Sequence, residues 1–460
     1  MAIYNYTLGT NVTGSLDDVS GVLTISGTGD MFDPWDCPFD SYKTSVTSVI
    51  INSGVTSIGR YTFYGFSNLV SISIPNTITT INSYAFLNCS NLESFTFPNS
   101  VINVYYNVLY GCDKLTTLVI GNSMTEIPFL PNSAVKYITL GSSISYFDYN
   151  LHWLSELTAI YVDSNSIYFT SLGGVLFNKD TTTILKYPKG ISNTNYSIPI
   201  TVTTIAEAAF RSCAALTSIT IPSTVTTIGP AAFSGCIGLT SVTLPESLIK
   251  LDDSAFSGCI GLTSIIIPNS VTTVGLEAFS RCSSLESVYV GSSVTSLSFV
   301  VFYDCPKLAT INVDDNNQHL TDIDGVVFSK DLTTLFIFPA AKSESYVVPQ
   351  TVTNIGESAF YNSIITFVEL PKILTSISDF AFYSCSNLTS IIIPNTVGYI
   401  GYRAFERCEN LKSITNLYAG NQTLGYSAFS TYATGEKTVY TFEINTNFIA
   451  QATEEEYSIK

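Results

Sequence analysis

The sequence predicts a β-rich solenoid, in which similar short turns of chain stack along one axis instead of surrounding one central core. The first observation is a fixed period: phenylalanine, cysteine and leucine each recur every 23 residues in the middle of the chain. These positions are Phe210, Phe233, Phe256, Phe279 and Phe302, then Cys213, Cys236, Cys259, Cys282 and Cys305, then Leu216, Leu239, Leu262, Leu285 and Leu308. A period of about 20–50 residues is typical of stacked repeats.

The second observation is a short alternation of apolar and polar residues once in each period. Val242 and Leu244 alternate with Ser241 and Thr243, which predicts a strand with its apolar side chains buried and its hydroxyls outward. Pro245 follows at once, and a residue without an amide donor fits the end of a strand. Each period therefore contributes one short strand.

The third observation concerns the rest of the period. Apolar pairs such as Val225 and Ile228 carry the chain across the far side of each turn, and Phe233 then fills the interior. Stacking places equivalent strands side by side in one parallel sheet, about 4.8 Å apart. About fourteen turns are expected from the repeats.

The ten cysteines follow the repeat and not a disulfide framework. Nine of them occupy one slot, three residues after the phenylalanine position, where Leu109 once replaces the aromatic ring. A slot that recurs as cysteine is predicted to hold small buried thiols stacked on one another. Cys37 stands outside the pattern, and its redox state is left open.

These residues resemble a known family. One unit runs Ile221-Pro222-x-x-Val225-x-x-Ile228-Gly229-x-x-Ala232-Phe233-x-x-Cys236-x-x-Leu239. It is similar to the leucine-rich repeat of the BspA-like surface proteins, from about Ser45 to Phe429. The segment 21–29 with Trp35 resembles that family's lead-in. The resemblance implies a curved, right-handed leucine-rich repeat solenoid with a concave parallel β-sheet and an N-terminal β-hairpin cap.

The expected domains are a β cap at 1–44, the solenoid at 45–437 and a C-terminal cap or tail at 438–460. Two longer turns, about 161–199 and 312–349, match each other at an offset of 151 residues. Each insert is predicted to form a hairpin around a Lys-Asp turn that projects from one edge. The inserts either belong to the binding surface or only join two arrays at a bend.

Composition excludes several classes of function. The net charge is −17 and no run of basic residues occurs, so nucleic acid and anionic membrane surfaces are not expected partners. No apolar stretch is long enough to insert into a membrane, and no signal peptide is visible at the start. The resemblance to the BspA-like family implies the cell surface or extracellular space as the location, with the cytoplasm as the alternative.

Catalytic and metal-binding patterns are not found in the sequence. His152 and His319 have no nucleophile or ligand at suitable spacing, so both are expected to be structural or solvated. Asp322-x-Asp324-Gly325 faintly suggests calcium, but the first insert has Ser171-x-Gly173-Gly174 there, which favours a turn. We predict that the chain is not an enzyme and has no cofactor and no metal.

The outward positions of the strands are the expected ligand-binding surface, on the concave face. They form a neutral lattice of hydroxyls with a few apolar points, and aromatic side chains are preferred anchors in interfaces. The candidate residues are Ser218, Thr220, Ser241, Thr243, Ser264, Ile266, Ser287, Tyr289, Thr310, Asn312, Ser390 and Ile392. A solvated strand surface without a ligand is the alternative.

The resemblance implies a surface adhesin or antigen that engages proteins or glycans of host or neighbouring cells, through the concave face or the inserts. Two alternatives remain open. One is an intracellular scaffold for protein–protein interaction, and the other is a self-associating component of a surface coat. The oligomeric state is not predicted.

Overall fold

The structure, a computed structural model, describes residues 3–130, 134–147, 151, 153–418, 422–429 and, for the backbone alone, 441–442. It confirms the predicted leucine-rich repeat solenoid, with parallel sheets and almost no helix. About 17 turns are present instead of about fourteen. The chain divides into unit 1, Met1–Asn193 with Thr201–Ala215, and unit 2, Thr194–Ile200 with Leu216–Lys460. The three domain boundaries expected from the sequence remain predictions.

Unit 1 begins with an antiparallel sheet of three strands. These are β1 (Ile3–Thr7), β2 (Val12–Asp17) and β3 (Val22–Gly27). The third strand also pairs in parallel with β5 (Ser48–Ile51), in a register that joins Leu23 to Val49 and Ile25 to Ile51. All four of these side chains are buried. The lead-in segment is therefore a cap that already contains the first strand of the stack.

The remaining strands of unit 1 form two kinds of parallel ladder. The outward strands are β7 (Ser71–Ser73), β9 (Ser94–Thr96), β11 (Thr117–Val119), β12 (Tyr137–Leu140) and β13 (Ala159–Val162). The far-side strands are β4 (Gly29–Asp30), β6 (Val55–Ile58), β8 (Thr80–Ile81) and β10 (Asn103–Val104). The first insert contributes β14 (Phe169–Leu172), β15 (Val175–Asn178) and β16 (Thr183–Lys186), and β18 (Thr204–Ile205) follows.

Unit 2 repeats this arrangement. Its outward strands are β17 (Asn195–Ser197), β19 (Ser218–Thr220), β21 (Ser241–Val242), β23 (Ser264–Ile267), β25 (Ser287–Val290), β26 (Thr310–Val313), β30 (Ser345–Val347), β32 (Phe367–Glu369), β34 (Ser390–Ile393), β36 (Ser413–Asn416) and β38 (Thr441–Phe442). Its far-side strands are β20 (Thr227–Ile228), β22 (Lys250–Leu251), β24 (Thr273–Val274), β31 (Asn354–Ile355), β33 (Ser376–Ile377), β35 (Tyr399–Ile400) and β37 (Thr423–Leu424). The second insert contributes β27 (Leu320–Ile323), β28 (Val326–Ser329) and β29 (Thr334–Ile337), and a 3-10 helix spans Phe299–Phe302.

The far-side ladder was not predicted as a sheet. Its strands are mostly two residues long, as where Thr227–Ile228 pairs in parallel with Lys250–Leu251. Two residues are too few to show alternation in a sequence, so the pattern revealed only the buried residue of each pair.

Aromatic rings stack along the interior of each unit. The ring centroids of Phe360 and Phe382 are 4.6 Å apart and nearly parallel, and those of Phe279 and Phe302 are 6.0 Å apart. In the two insert-bearing turns, Tyr187 takes the phenylalanine position in unit 1 and stacks on Phe210 at 5.2 Å. Phe338 does so in unit 2. The longer turns therefore keep the interior of the ordinary turn.

All ten cysteines lie in the described part of the chain and are buried thiols without disulfides, as predicted for the repeat slot. The thiol has a second role that the sequence did not reveal. Cys259 Sγ donates to the carbonyl oxygen of Phe233 in the preceding turn at 3.2 Å, and Cys408 does the same to Phe382 at 3.0 Å. Burial raises the pKa of the Cys37 thiol to about 11. The buried thiols are therefore packing groups, and the raised pKa makes Cys37 a poor nucleophile.

The inserts contain the predicted hairpin but do not project from the stack. In unit 1 the hairpin is formed by β15 and β16, which pair antiparallel across the Lys179-Asp180 turn. However, β16 pairs in parallel with β18, and Val175, Leu176 and Phe177 are buried. The prediction that the hairpin projects was wrong, because β15 and β16 extend the far-side ladder. The additional strand β14 precedes them and pairs with β15.

Candidate functional site

The strand face is our name for the outward surface of β19, β21, β23, β25 and β26 in unit 2. Alternation on these strands buries one side chain and exposes the next, since β23 has buried Ile265 and Ile267 on either side of exposed Ile266. Ten candidate residues lie on this surface, divided between two three-stranded sheets, β17–β19–β21 and β23–β25–β26, where β21 contacts β23. They are Ser218, Thr220, Ser241, Thr243, Ser264, Ile266, Ser287, Tyr289, Thr310 and Asn312.

Two apolar side chains stand out from the hydroxyls of the strand face. Ile266 is 64% exposed and Tyr289 is 36% exposed. They are register partners on the paired strands β23 and β25, and Asn312 is the next partner, on β26. Neighbouring strands lie about 4.8 Å apart, so the two side chains form one continuous apolar point.

The hydroxyl of Tyr289 is held in place by an acidic side chain. Its Oη donates to Oδ2 of Asp314 at 2.9 Å, and this bond raises the pKa of Tyr289. The pKa of Asp314 is lowered, first by the backbone N–H of Asn316 and then by the Tyr289 hydroxyl. The ring is therefore oriented before any ligand arrives, which reduces the entropy cost of binding.

The strand face ends at the second insert. On the edge of β26 away from β25, the N–H of Ile311 donates to the carbonyl oxygen of Gly325 at 3.0 Å. The other two candidate residues, Ser390 and Ile392, lie on β34, which pairs with β36 in another sheet. The sequence pattern placed all twelve on one surface because it does not show where the inserts interrupt the ladder.

Two exposed apolar residues near Ile392 were missed. Val347 on β30 is 58% exposed and Phe367 on β32 is 47% exposed, and β32 contacts β34. Phe367 precedes Ser390 by one period of 23 residues, so aligning the two turns would have revealed it. Val347 follows the insert, where the period is broken and the alignment gives no register.

The second insert is closed by a carboxylate. Asp322 accepts hydrogen bonds from the N–H of Val313 at 2.7 Å and from the N–H of Gly325 at 2.9 Å. It thereby joins the end of the outward strand β26 to the turn between β27 and β28. The Asp324–Gly325 dipeptide forms that turn, as predicted, and both residues have a positive φ.

The first insert has a pocket at the equivalent place in unit 1. Ser171 occupies the position of Asp322, and its hydroxyl donates to the carbonyl oxygen of Ile160. The pocket is open to solvent and has a volume of about 390 Å³. Its lining residues are Ala159, Tyr161, Val162, Ser171, Gly173 and Gly174.

Two exposed tyrosines of unit 1 lie on the strands at this pocket and were missed from the sequence. Tyr161 on β13 is 49% exposed, and Tyr137 on the paired strand β12 is 41% exposed. Both take outward positions, since Tyr137 pairs with Thr117 of the turn before it and Tyr161 pairs with Thr139. These turns lack the cysteine and the regular length, so the repeat pattern gave no register for them.

The structure describes the surroundings of His319 and of the acidic side chains. In the described residues, no group of three or more His, Cys, Asp or Glu side chains could hold a metal ion. His319 lies in the second insert, where its N–H donates to Oδ1 of the buried Asn317. His152 and the predicted C-terminal cap or tail at 438–460, apart from the backbone of 441–442, lie outside the described residues. No helix in the described part of the chain is long and apolar enough to span a membrane.

The profile of the BspA type leucine rich repeat region matches residues 39–158, 203–333 and 335–453, in six copies. The chain belongs to the BspA-type leucine-rich repeat family. Leucine-rich repeat proteins of this type are generally non-enzymatic binding scaffolds. No curated protein matches the chain at a significant level.

Several solved bacterial structures are similar to this chain. A leucine-rich repeat protein from Eubacterium ventriosum is 26% identical, with 88% of this chain and 95% of that chain covered and a TM-score of 0.46. A leucine rich cell surface protein from Faecalibacterium prausnitzii is 24% identical, with 68% and 95% covered and a TM-score of 0.45. The pneumococcal vaccine antigen PcpA is 16% identical, with 92% and 98% covered and a TM-score of 0.46.

Proposed function

We propose that this BspA-type chain is a non-enzymatic cell-surface adhesin that binds a protein of host or neighbouring cells through the strand face of unit 2. The observation that carries the proposal is the pair Ile266 and Tyr289, which are exposed, in register and surrounded by neutral hydroxyls. Family membership supports a binding role and a surface location.

The chemistry of the strand face suits a protein partner. An aromatic ring next to an aliphatic side chain is a typical interface anchor, and a rim of neutral polar groups excludes water around it. Each strand offers only two outward residues, so a partner gains contact area by lying along the ladder and not across it. The three paired strands β23, β25 and β26 at about 4.8 Å spacing extend over about 10 Å, and β19 and β21 continue the surface in the adjoining sheet, so an extended segment of a partner fits along them.

The test compares purified wild-type protein with the double variant Ile266→Lys/Tyr289→Lys in binding to immobilised host matrix proteins and to host cells. The matched control is Ile260→Lys/Tyr399→Lys, which changes the same residue types on other sides of the turns. Ile260 is 45% exposed and Tyr399 is 39% exposed. The Tyr399 hydroxyl also donates to an aspartate, Asp379, at 3.0 Å, as Tyr289 does to Asp314.

We expect the first double variant to lose binding at least about tenfold, as for the removal of a central interface anchor, while the control variant binds like wild type. Both variants must retain the wild-type melting temperature. Equal binding by all three proteins would exclude the strand face. Absence of binding by wild type to every cell and matrix protein would overturn the adhesin role.

A further inference from the structure

The two inserts are copies of one element, so residues at an offset of 151 can be compared directly. In the second insert the Asp322 carboxylate accepts from two backbone donors, the N–H groups of Val313 and Gly325. We call these two donors the nest, because backbone N–H groups that converge on one point can bind an anion. In this copy the nest is occupied by the chain's own aspartate.

In the first insert the equivalent donors are the N–H groups of Val162 and Gly174. Strand pairing fixes the direction of the Val162 N–H. The N–H of Ala159 donates to Lys136 and that of Asp163 to Leu140, both in the preceding turn. Alternation along a parallel strand therefore turns the N–H of Val162 to the opposite side, towards the insert.

Val162 and Gly174 both line the pocket. Among the described residues, neither the N–H of Val162 nor that of Gly174 donates to a backbone or side-chain atom. Ser171 is too short to reach them, and its hydroxyl is used by Ile160. The pocket lining has no charged side chain. Unit 1 therefore has the two residues whose equivalents donate to Asp322 in unit 2, but it lacks that carboxylate.

The wall of the pocket adds a second recognition element. The ring of Tyr161 lines the pocket and is about half exposed, while Ala159 takes the place of Thr310 and widens the floor. A flat aromatic surface suits a ring with an apolar face, and the two N–H groups suit a carboxylate carried by that ring. We propose that this pocket binds a carboxylated sugar, with its carboxylate where the Asp322 carboxylate lies in the second insert.

An extended peptide fits the pocket less well than a sugar. A peptide strand added to β13 would need the backbone groups on that edge of the strand. The N–H of Ile160 already donates to Gly174 at 2.9 Å, and the carbonyl oxygen of Ile160 accepts from Ser171. Only the N–H of Val162 remains, which suffices for one carboxylate oxygen but not for a strand ladder.

Asp163, the acidic residue next to Val162 in the sequence, has its carboxylate bound by other donors. The carboxylate of Asp163 accepts from Asn122 Nδ2 at 3.3 Å and from the N–H of Asn165 at 2.9 Å. Because these donors hold its charge, Asp163 does not compete for the nest. The site is separate from the strand face of unit 2, so its failure and the failure of the proposed function are distinguishable.

The test measures binding of sodium glucuronate and N-acetylneuraminate to the full chain by NMR titration or calorimetry. Glucose is the uncharged control sugar. Two hydrogen bonds and one ring contact correspond to a roughly millimolar dissociation constant. The blocking variant is Ser171→Asp, which installs the aspartate of the second insert. Ser171→Ala is the matched control, since it changes the same side chain without supplying a carboxylate.

We expect saturable binding of at least one carboxylated sugar, at least about tenfold weaker binding of glucose, loss of binding in Ser171→Asp and retention in Ser171→Ala. A peptide with a free terminal carboxylate and its amidated form provide a further comparison. Equal binding by wild type and Ser171→Asp would overturn the proposal. So would no saturation by either acid, equal binding of glucose, or binding of the peptide alone.

Discussion

The two inserts have the same strands, the same turn and the same hairpin, yet one is closed and the other open. In unit 2 the Asp322 carboxylate joins Val313 to Gly325. In unit 1 the equivalent Ser171 leaves a pocket of about 390 Å³. The exchange of Asp322 for Ser171 therefore removes the acceptor that closes this element, and Ala159 in place of Thr310 removes further bulk at the same point.

The difference shows how a repeat array can acquire a site without changing its fold. A carboxylate bound to two backbone N–H groups stabilises the turn, because charge-assisted hydrogen bonds are stronger than neutral ones. The open copy lacks that stabilisation, and proteins tend to break local stability rules at functional sites. We therefore expect substitutions in the second insert to lower the free energy of unfolding. A carboxylate introduced into the first insert should raise it.

The largest effect is expected from Gly325→Ala at the closed turn. Gly325 has a φ of 76°, and a Cβ there would lie 2.1 Å from Thr310 Oγ1 and 3.0 Å from its Cβ. The left-handed conformation and the overlap together should lower the free energy of unfolding by about 3 kcal/mol. Urea unfolding followed by circular dichroism measures this loss.

Gly173→Ala in the open insert is the matched control for that substitution. Gly173 also has a positive φ, of 57°, but a Cβ there would meet nothing within 4 Å. Only the conformational cost of about 1 kcal/mol should remain. Equal losses for the two variants would mean that the closed turn is not tightly packed.

The next effect is expected from Asp322→Ser, which gives the second insert the residue of the first. The N–H groups of Val313 and Gly325 would lose their acceptor, at a cost of about 2 kcal/mol. Hydrogen exchange at the Val313 amide should accelerate by about 30-fold, the factor that corresponds to this energy. Asp324→Asn is the control, because the Asp324 side chain is 83% exposed and its bond to Lys342 is a surface ion pair. A Val313 amide that remains protected would contradict the role of Asp322.

The reverse change, Ser171→Asp, should have a smaller and opposite effect. It supplies an acceptor to Val162 and Gly174 but removes the hydrogen bond from Ser171 to Ile160. The net gain should be about 1 kcal/mol, since a hydrogen bond contributes about that amount. Exchange at the Val162 amide should slow by several-fold relative to wild type. A loss of stability would show that the two inserts differ in backbone geometry as well as in this side chain.

The sequence predicted the stacked turns and the outward hydroxyls because the 23-residue period carries that information directly. It also showed that Ser171 stands where the second insert has Asp322, but the direction of the Val162 N–H depends on which neighbour β13 pairs with. Lys186 is a further example, since it is 1% exposed at a far-side position where Ile337 stands in the second insert. A pattern of apolar residues predicts neither a buried lysine nor an unused backbone donor.

The smallest effect concerns pH and the Asp-x-Asn turns at the start of the inserts. The pKa of Asp163 is lowered by the N–H of Asn165 and then by Asn122, and that of Asp314 by the N–H of Asn316 and then by the Tyr289 hydroxyl. Because both folded pKa values lie below the ordinary value, the two carboxylates stabilise the fold at neutral pH. This stabilisation is lost as the pH falls through the lowered pKa values.

NMR titration of the two carboxyl groups distinguishes the inserts again. Tyr289→Phe removes the hydroxyl that donates to Asp314 Oδ2, so the pKa of Asp314 should rise towards its ordinary value. The shift should be partial, because the N–H of Asn316 still donates to Asp314 Oδ1 at 2.8 Å. Asp163, whose donors are Asn122 and Asn165, should titrate as in wild type. An unchanged pKa of Asp314 would mean that the tyrosine ring is not held by this aspartate, and the strand face would lose its pre-oriented anchor.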